Sequence, residues 1–202
     1  DESDRFSFAF KDLSFANTDS WEWDFGDGNS STEQNPTHTY AQPGDYLVNG
    51  PIRLTSHMEL HLEEGARIFF GSNPEDYLPV VLTSWEGTRC YNYSPFIYAF
   101  EVTDVAITGR GEIDGEGADP WNGWKEIQGT DQRKLREMNN QQVPLEERVF
   151  GDGHFLRPHL IQFYDCEDIL VEDIMIADSP FWCLHFLYSS HITVRGISFD
   201  AH

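Results

Sequence analysis

Ile169-Leu170-Val171-Glu172-Asp173-Ile174-Met175-Ile176 and Ile192-Thr193-Val194-Arg195-Gly196-Ile197-Ser198-Phe199 are the stretches that decide the fold. Their apolar positions superpose at a single offset of 23 residues: 169 on 192, 171 on 194, 174 on 197 and 176 on 199. Apolar residues alternate within each stretch and many are β-branched, which favours strand over helix. Self-similarity at a period of this length marks a stacked architecture. One two-strand unit cannot bury its inward face alone, whereas stacked units can, so the pattern predicts a parallel β-solenoid.

The same texture extends upstream as far as Gly50. Met58, Leu60 and Leu62 alternate, followed by Gly65-Ala66-Arg67-Ile68-Phe69. Val105 and Ile107 repeat the alternation before a Gly-rich corner, Gly109-Arg110-Gly111-Glu112-Ile113-Asp114-Gly115. Between 116 and 155 lies a polar insertion, in which Thr130 through Gln142 reads as a short exposed helix ended by Pro144. A long insertion in a regular solenoid belongs on one face, often the binding face.

Residues 1–48 differ. Phe6-Ser7-Phe8-Ala9-Phe10 and Trp21-Glu22-Trp23-Asp24-Phe25 alternate as half-buried antiparallel strands. Gly26-Asp27-Gly28-Asn29 and Pro43-Gly44 are turns, the second leading into Tyr46-Leu47-Val48. Short strands with regular turns suggest a β-sandwich. The domain boundaries are therefore 1–48 and 49–202.

Bulk properties narrow the function classes. Thirteen Lys and Arg face 35 Asp and Glu, a net charge of -22, which argues against nucleic acid or an anionic membrane as partner. The charges are spread along the chain, as on a hydrated surface. Hydrophobic residues at 39% and aromatics at 14% are enough for a packed core. Cys90, Cys166 and Cys183 have no metal-ligand spacing, and the last two miss the 23-residue period, so they read as small hydrophobes. No metal or cofactor is expected. No apolar run reaches the ~18 residues of a membrane span, and none reads as a signal peptide, although a leader removed upstream is compatible with the start at Asp1.

Two resemblances follow from these residues. Trp21-Glu22-Trp23-Asp24-Phe25-Gly26-Asp27-Gly28, Asn35-Pro36-Thr37-His38-Thr39-Tyr40 and Pro43-Gly44-Asp45-Tyr46 together resemble a partial polycystic-kidney-disease (PKD) domain. Such modules are immunoglobulin-like sandwiches that accompany secreted bacterial hydrolases. Residues 50–202 resemble glycoside hydrolase family 28, the polygalacturonases. The matching motifs are Gly50-Pro51-Ile52-Arg53-Leu54, Leu60-His61-Leu62-Glu63-Glu64-Gly65-Ala66, Ile107 through Gly115, Arg157-Pro158-His159-Leu160-Ile161, and Asp178-Ser179-Pro180-Phe181-Trp182-Cys183-Leu184-His185. This resemblance implies an all-β fold, the N-terminal coils of a right-handed parallel β-helix of the pectin-lyase-like kind, preceded by the partial sandwich. Pro43-Gly44-Asp45-Tyr46-Leu47 fits both the end of the first module and the strand entering the second, so the two are expected to join within a shared Pro-Gly-x-Tyr motif.

The family resemblance implies an inverting glycosidase acting on pectin-type polysaccharide, secreted, periplasmic or at the cell surface, and monomeric at full length. Glycosidic hydrolysis takes two carboxyl groups, one protonating the leaving oxygen and one activating water. The family carries them in an Asn-x-Asp-Gly-x-Asp strand and an Asp-Asp pair, with Gly-His-Gly and Arg-x-Lys following. None occurs in these 202 residues, and the first is expected just beyond His202. No catalytic residue is therefore assigned. The chain by itself is expected to show no turnover, and its last coil to present an open, association-prone face. Alternatives are a non-catalytic carbohydrate-binding or structural solenoid, and a polysaccharide lyase of similar fold.

The substrate-binding candidates are four. Trp121 and Trp124 lie in the insertion, where aromatic faces can stack on sugar rings. Arg157 has the fork that grips a uronate carboxylate. His185 falls where the resemblance places a histidine on the cleft side. Phe163, Tyr164, Phe181, Trp182, Phe186 and Tyr188 read as core and coil-stacking residues. Asp114 and Asp178 read as turn caps, Asp200 as a strand residue without the catalytic motif, and Asp24 and Asp27 as turn residues with too few oxygens for calcium.

Overall fold

The 23-residue offset becomes vertical stacking. In a computed structural model, Ile169 pairs in parallel with Ile192, Val171 with Val194, and Ile176 with Phe199. The structure describes residues 44–117 and 120–200, together with short N-terminal pieces at 7–9, 23–24, 30–33 and 37–39.

Three parallel sheets form the walls of a β-helix. Sheet 1 stacks Ile52–Leu54, Ile97–Phe100, Ile161–Tyr164 and Leu184–Leu187. Sheet 2 stacks Met58–Leu62, Thr103–Gly109, Glu167–Glu172 and Ser190–Arg195. Sheet 3 stacks Asp45–Val48, Arg67–Phe70, Glu112–Asp114, Met175–Ala177 and Ser198–Asp200. Each coil thus runs sheet 1, sheet 2, sheet 3. Alternate residues of all three walls point inward and form one core along the axis, including Leu60, Ile97, Ile107, Ile113, Phe163, Val171 and Ile176. In the coil that ends the stack, Ile192, Val194 and Phe199 are 38, 38 and 55% exposed, whereas their rung partners Ile169, Val171 and Ile176 are buried.

The corners are made by residues in the left-handed region. Glu101, Asp165 and Tyr188 each follow a sheet 1 strand with φ of 52, 54 and 53°. His57, Asp104, Asp168 and His191 recur in the same way at the entry to sheet 2, with φ between 53 and 62°. Short polar side chains tolerate this conformation best, which accounts for the aspartates that interrupt the apolar pattern.

Asp45–Val48 pairs in parallel with Arg67–Phe70, and Arg67 N donates to Gly44 O at 2.8 Å. Sheet 3 therefore draws its first strand from the sequence on the N-terminal side of position 48. Further upstream, Ser7–Ala9 pairs antiparallel with Thr37–Thr39, and Trp23–Asp24 with Ser30–Ser31. Asp27, the rest of the turn at 26–29, and Pro43 lie outside the described residues.

Both long interruptions of the solenoid occur between a sheet 3 strand and the next sheet 1 strand, so they emerge on the same side. The first carries an antiparallel hairpin, Val81–Trp85 with Thr88–Asn92. The second carries α1 (Trp121–Ile127) and α2 (Gly129–Asn140), then Val149–Phe150, which joins the hairpin in parallel. The sequence predicts only the second helix, as an exposed one. α2 in fact buries Leu135 against Trp85, Cys90, Phe150 and Leu156, and buries Asp131, which accepts from His154 Nδ1 at 2.7 Å and Phe155 N at 2.8 Å. Its outer flank is tied to the hairpin turn by Glu86, which accepts from Gln132 at 2.6 Å and Arg136 at 2.8 Å. This contact is solvent-accessible, so Glu86→Ala is expected to cost no more than about 1 kcal/mol in denaturant unfolding. No helix among the described residues is long and apolar enough to cross a membrane.

Candidate substrate-facing site

The outward face of sheet 1 follows from its register. With Ile97, Ala99, Ile161 and Phe163 in the core, the alternate positions Arg53, Tyr98, Gln162 and His185 form one ladder on the outward side of sheet 1, and it is largely covered, with Tyr98, Gln162 and His185 only 3, 0 and 8% exposed. Arg53 lies over the Tyr98 ring at 4.7 Å, and burial lowers its pKa. The hairpin covers the first part of this ladder, with Tyr98 Oη donating to Leu82 O. Thr83 Oγ1 donates to Gln162 Oε1 at 2.8 Å, which turns the Gln162 amide nitrogen toward His185 Nδ1 at 2.9 Å. A ring nitrogen that accepts is unprotonated, so the His185 proton sits on Nε2. Burial pushes the His185 pKa down to about 4, which keeps the imidazole neutral at ordinary pH.

Beside this ladder the turn at 178–183 stacks aromatic rings. Phe181 lies flat on Trp85, with centroids 5.0 Å apart and 7° between planes, and Trp182 continues the stack at 5.4 Å and 21°. His159 sits beneath, 5.3 Å from Phe181 and 4.3 Å from His185. It is fully enclosed and its Nε2 donates to Ser84 O at 2.9 Å. Desolvation, reinforced by His185, pushes its pKa down to about 3. Trp182 meets His185 edge to face at 4.6 Å and 84°, and remains 41% exposed.

The four sequence candidates have different fates. Trp121 and Trp124 do not offer faces to sugar. Trp121 is fully buried, packed against Tyr77, Phe96 and Trp124, and Trp124 is also buried, against Tyr93 and Phe155. The insertion folds back onto the solenoid and uses its tryptophans to dock, because burying such large rings stabilises more than exposing them. Arg157 is likewise engaged internally: Nε donates to Gln128 Oε1 at 3.0 Å, Nη1 to Pro180 O at 2.9 Å, and the guanidinium lies 5.0 Å over Phe181. It ties the insertion to the 178–183 turn rather than standing free for a uronate. His185 alone lies on the outward ladder.

Among the residues read as core, Phe163 and Phe186 do stack between coils at 5.3 Å, but Trp182 and Tyr188 are exposed. Asp114 accepts from Glu116 N at 2.8 Å and from Arg67, and so closes the Gly-rich corner. No cluster of three metal-ligating side chains occurs among the described residues. Cys90 and Cys166 are buried, the first with a thiol pushed up to about 12, and neither forms a disulfide. Gln162, His159 and Thr83 escaped the sequence reading. For two of them a signal existed: stepping back 23 residues from His185 lands on Gln162, and from Trp182 on His159.

Polygalacturonases are among the known proteins similar to these coils. A hyperthermoactive exopolygalacturonase from Thermotoga maritima superposes with a TM-score of 0.74 and 44% identity, over 79% of this chain and 38% of that one. These coils resemble those of polygalacturonases. A probable polygalacturonase of Vitis vinifera is 30% identical over 165 residues, 79% of this chain and 28% of that protein. The polygalacturonase of Erwinia carotovora ssp. carotovora shares the fold, with a TM-score of 0.52 and 20% identity over 78% of this chain and 39% of that one. The chain thus spans roughly a third of the length of the polygalacturonases it matches. A family model described as PKD domain matches residues 1–56, so the match runs through the first strands of sheets 3 and 1.

Proposed function

We propose that the protein carrying these coils is a glycoside hydrolase that cleaves pectin-type polysaccharide by inverting hydrolysis. The observation that supports this best is the 44% identity to an exopolygalacturonase across 79% of the chain. In this reading the ladder and the aromatic turn beside it form part of the sugar cleft, and the catalytic carboxyl pair belongs to the coils that the relatives possess in addition. The substrate is extracellular, so the enzyme acts outside the cytoplasm, with the PKD module as spacer or auxiliary binder.

The net charge of -22 opposes a polyanionic substrate at long range, but screening over a Debye length of ~8 Å leaves local groups to decide binding. The test is a reducing-end assay on polygalacturonate with the native gene product carrying these residues. New reducing ends without unsaturated uronides are expected. Unsaturated products would indicate a lyase instead, and binding without cleavage a carbohydrate-binding solenoid.

A further inference from the structure

We infer that Trp182 and His185 form a pyranose subsite, with the Trp182 indole as stacking platform and His185 Nε2–H as hydrogen-bond donor, both held in place from beneath by the Val81–Trp85 strand. The inference rests on the reading of the sheet 1 face as a sugar cleft. It goes beyond that reading by assigning the contacting groups and the residues that position them.

Three features of the structure carry it. First, Trp182 keeps 41% of its surface in solvent although two neighbouring aromatic residues, Phe181 and His159, are stacked beneath it or beside it. A large ring braced by neighbouring aromatic residues yet still part-exposed loses little entropy when a sugar covers its exposed part. Second, the edge-to-face contact with His185 at 4.6 Å puts a polar atom next to the apolar platform. A pyranose presents the matching pair, a C–H face flanked by equatorial oxygens. Third, the donor belongs to a buried relay that runs from Thr83 through Gln162 to His185. The hydroxyl is buried and donates to Gln162 Oε1, Gln162 Nε2 then donates to His185 Nδ1, and the His185 proton must lie on Nε2. Gln162 is fully buried, so its amide orientation and the His185 tautomer are locked together: reversing the amide would make Thr83 the acceptor and move the His185 proton to Nδ1. Thr83 and Gln162 are therefore positioning residues, and Trp182 and His185 are the groups that touch sugar.

The experiment is an NMR titration of the 202-residue chain with trigalacturonate and, separately, with a neutral β-galactan trisaccharide. The indole N–H of Trp182 and both imidazole nitrogens of His185 are observed. In the free chain, two-bond nitrogen–proton correlations are expected to show the Nε2–H tautomer. Trigalacturonate is expected to shift both residues with a Kd on the order of 1–10 mM, as suits a single subsite. Trp182→Ala is expected to weaken binding at least ~10-fold, because the whole stacking platform is lost. Gln162→Glu keeps the shape but presents only acceptors to Nδ1. It is expected to move the proton onto Nδ1 and weaken binding about 5-fold while the Trp182 ring stays in place, a change that a purely structural role for Gln162 would not produce.

An Nδ1–H tautomer in the wild-type chain, sugar-induced shifts that survive Trp182→Ala, or no shift with either trisaccharide would each overturn the subsite. If the neutral trisaccharide binds in the same Trp182-dependent way and trigalacturonate does not, the subsite stands and the pectic reading falls.

Discussion

Gly109→Ala is expected to destabilise the solenoid by at least ~3 kcal/mol, enough to unfold much of the chain at ambient temperature. Gly109 has φ of +107° and closes the sheet 2 strand where it pairs with Leu62 of the coil below. A Cβ there would lie 2.0 Å from the Leu62 carbonyl oxygen and 2.7 Å from its carbon. Those are backbone atoms already fixed by the ladder, so relief requires parting two coils rather than turning a side chain. Gly123→Ala is the matched control. Gly123 lies within α1 with open space where a Cβ would go, and the change is expected to stabilise by up to ~1 kcal/mol. Chemical denaturation of both variants checks the pair. A Gly109→Ala midpoint within experimental error of the parent would show that coil spacing is softer than the rung geometry implies.

Acid is expected to unfold the protein through two histidines before carboxylates dominate. An unfolded histidine titrates near ~6.5, whereas folded His159 and His185 titrate at about 3 and about 4 because burial disfavours the imidazolium. Below pH ~6.5 the unfolded chain takes up protons that the folded one refuses, so stability falls with pH and levels off only beneath the folded values. Both groups are neutral above that range and contribute no pH dependence there. Between pH ~6.5 and ~4 the loss is on the order of 5 kcal/mol, with His159 contributing only slightly more than His185. Urea unfolding across this range checks the effect, and His185→Gln is expected to flatten the slope by close to one proton. A slope identical in parent and variant would show that His185 is charged in the fold.

This acid sensitivity lies in the same cluster as the proposed sugar subsite. Keeping two imidazoles neutral a few ångströms apart requires a dry, aromatic setting, and that setting also holds Trp182 rigid. Recognition and acid lability are thus two results of one arrangement of Trp85, Phe181 and His159.

Periodicity determined a great deal by itself. The 23-residue echo sets the rung partners 169–192, 171–194 and 176–199, and alternation separates inward from outward residues. Extended by one strand, the same offset pairs Gln162 with His185, so half of the relay was within reach of the primary sequence. The tertiary structure alone decided the fate of the aromatic residues outside the repeat. Trp121 and Trp124 lie in an insertion with no period, so nothing local says whether it stands off the solenoid or folds back onto it. Trp182 lies in a turn whose two neighbours come from segments far apart in the chain, Trp85 at the end of a hairpin strand and His159 in the loop before a sheet 1 strand. Burial of a loop side chain is settled by contacts across sequence separations that no local pattern encodes, whereas burial of a rung residue is repeated by its neighbour one coil away. That difference is why the coils were legible from residues alone and the sugar-facing surface was not.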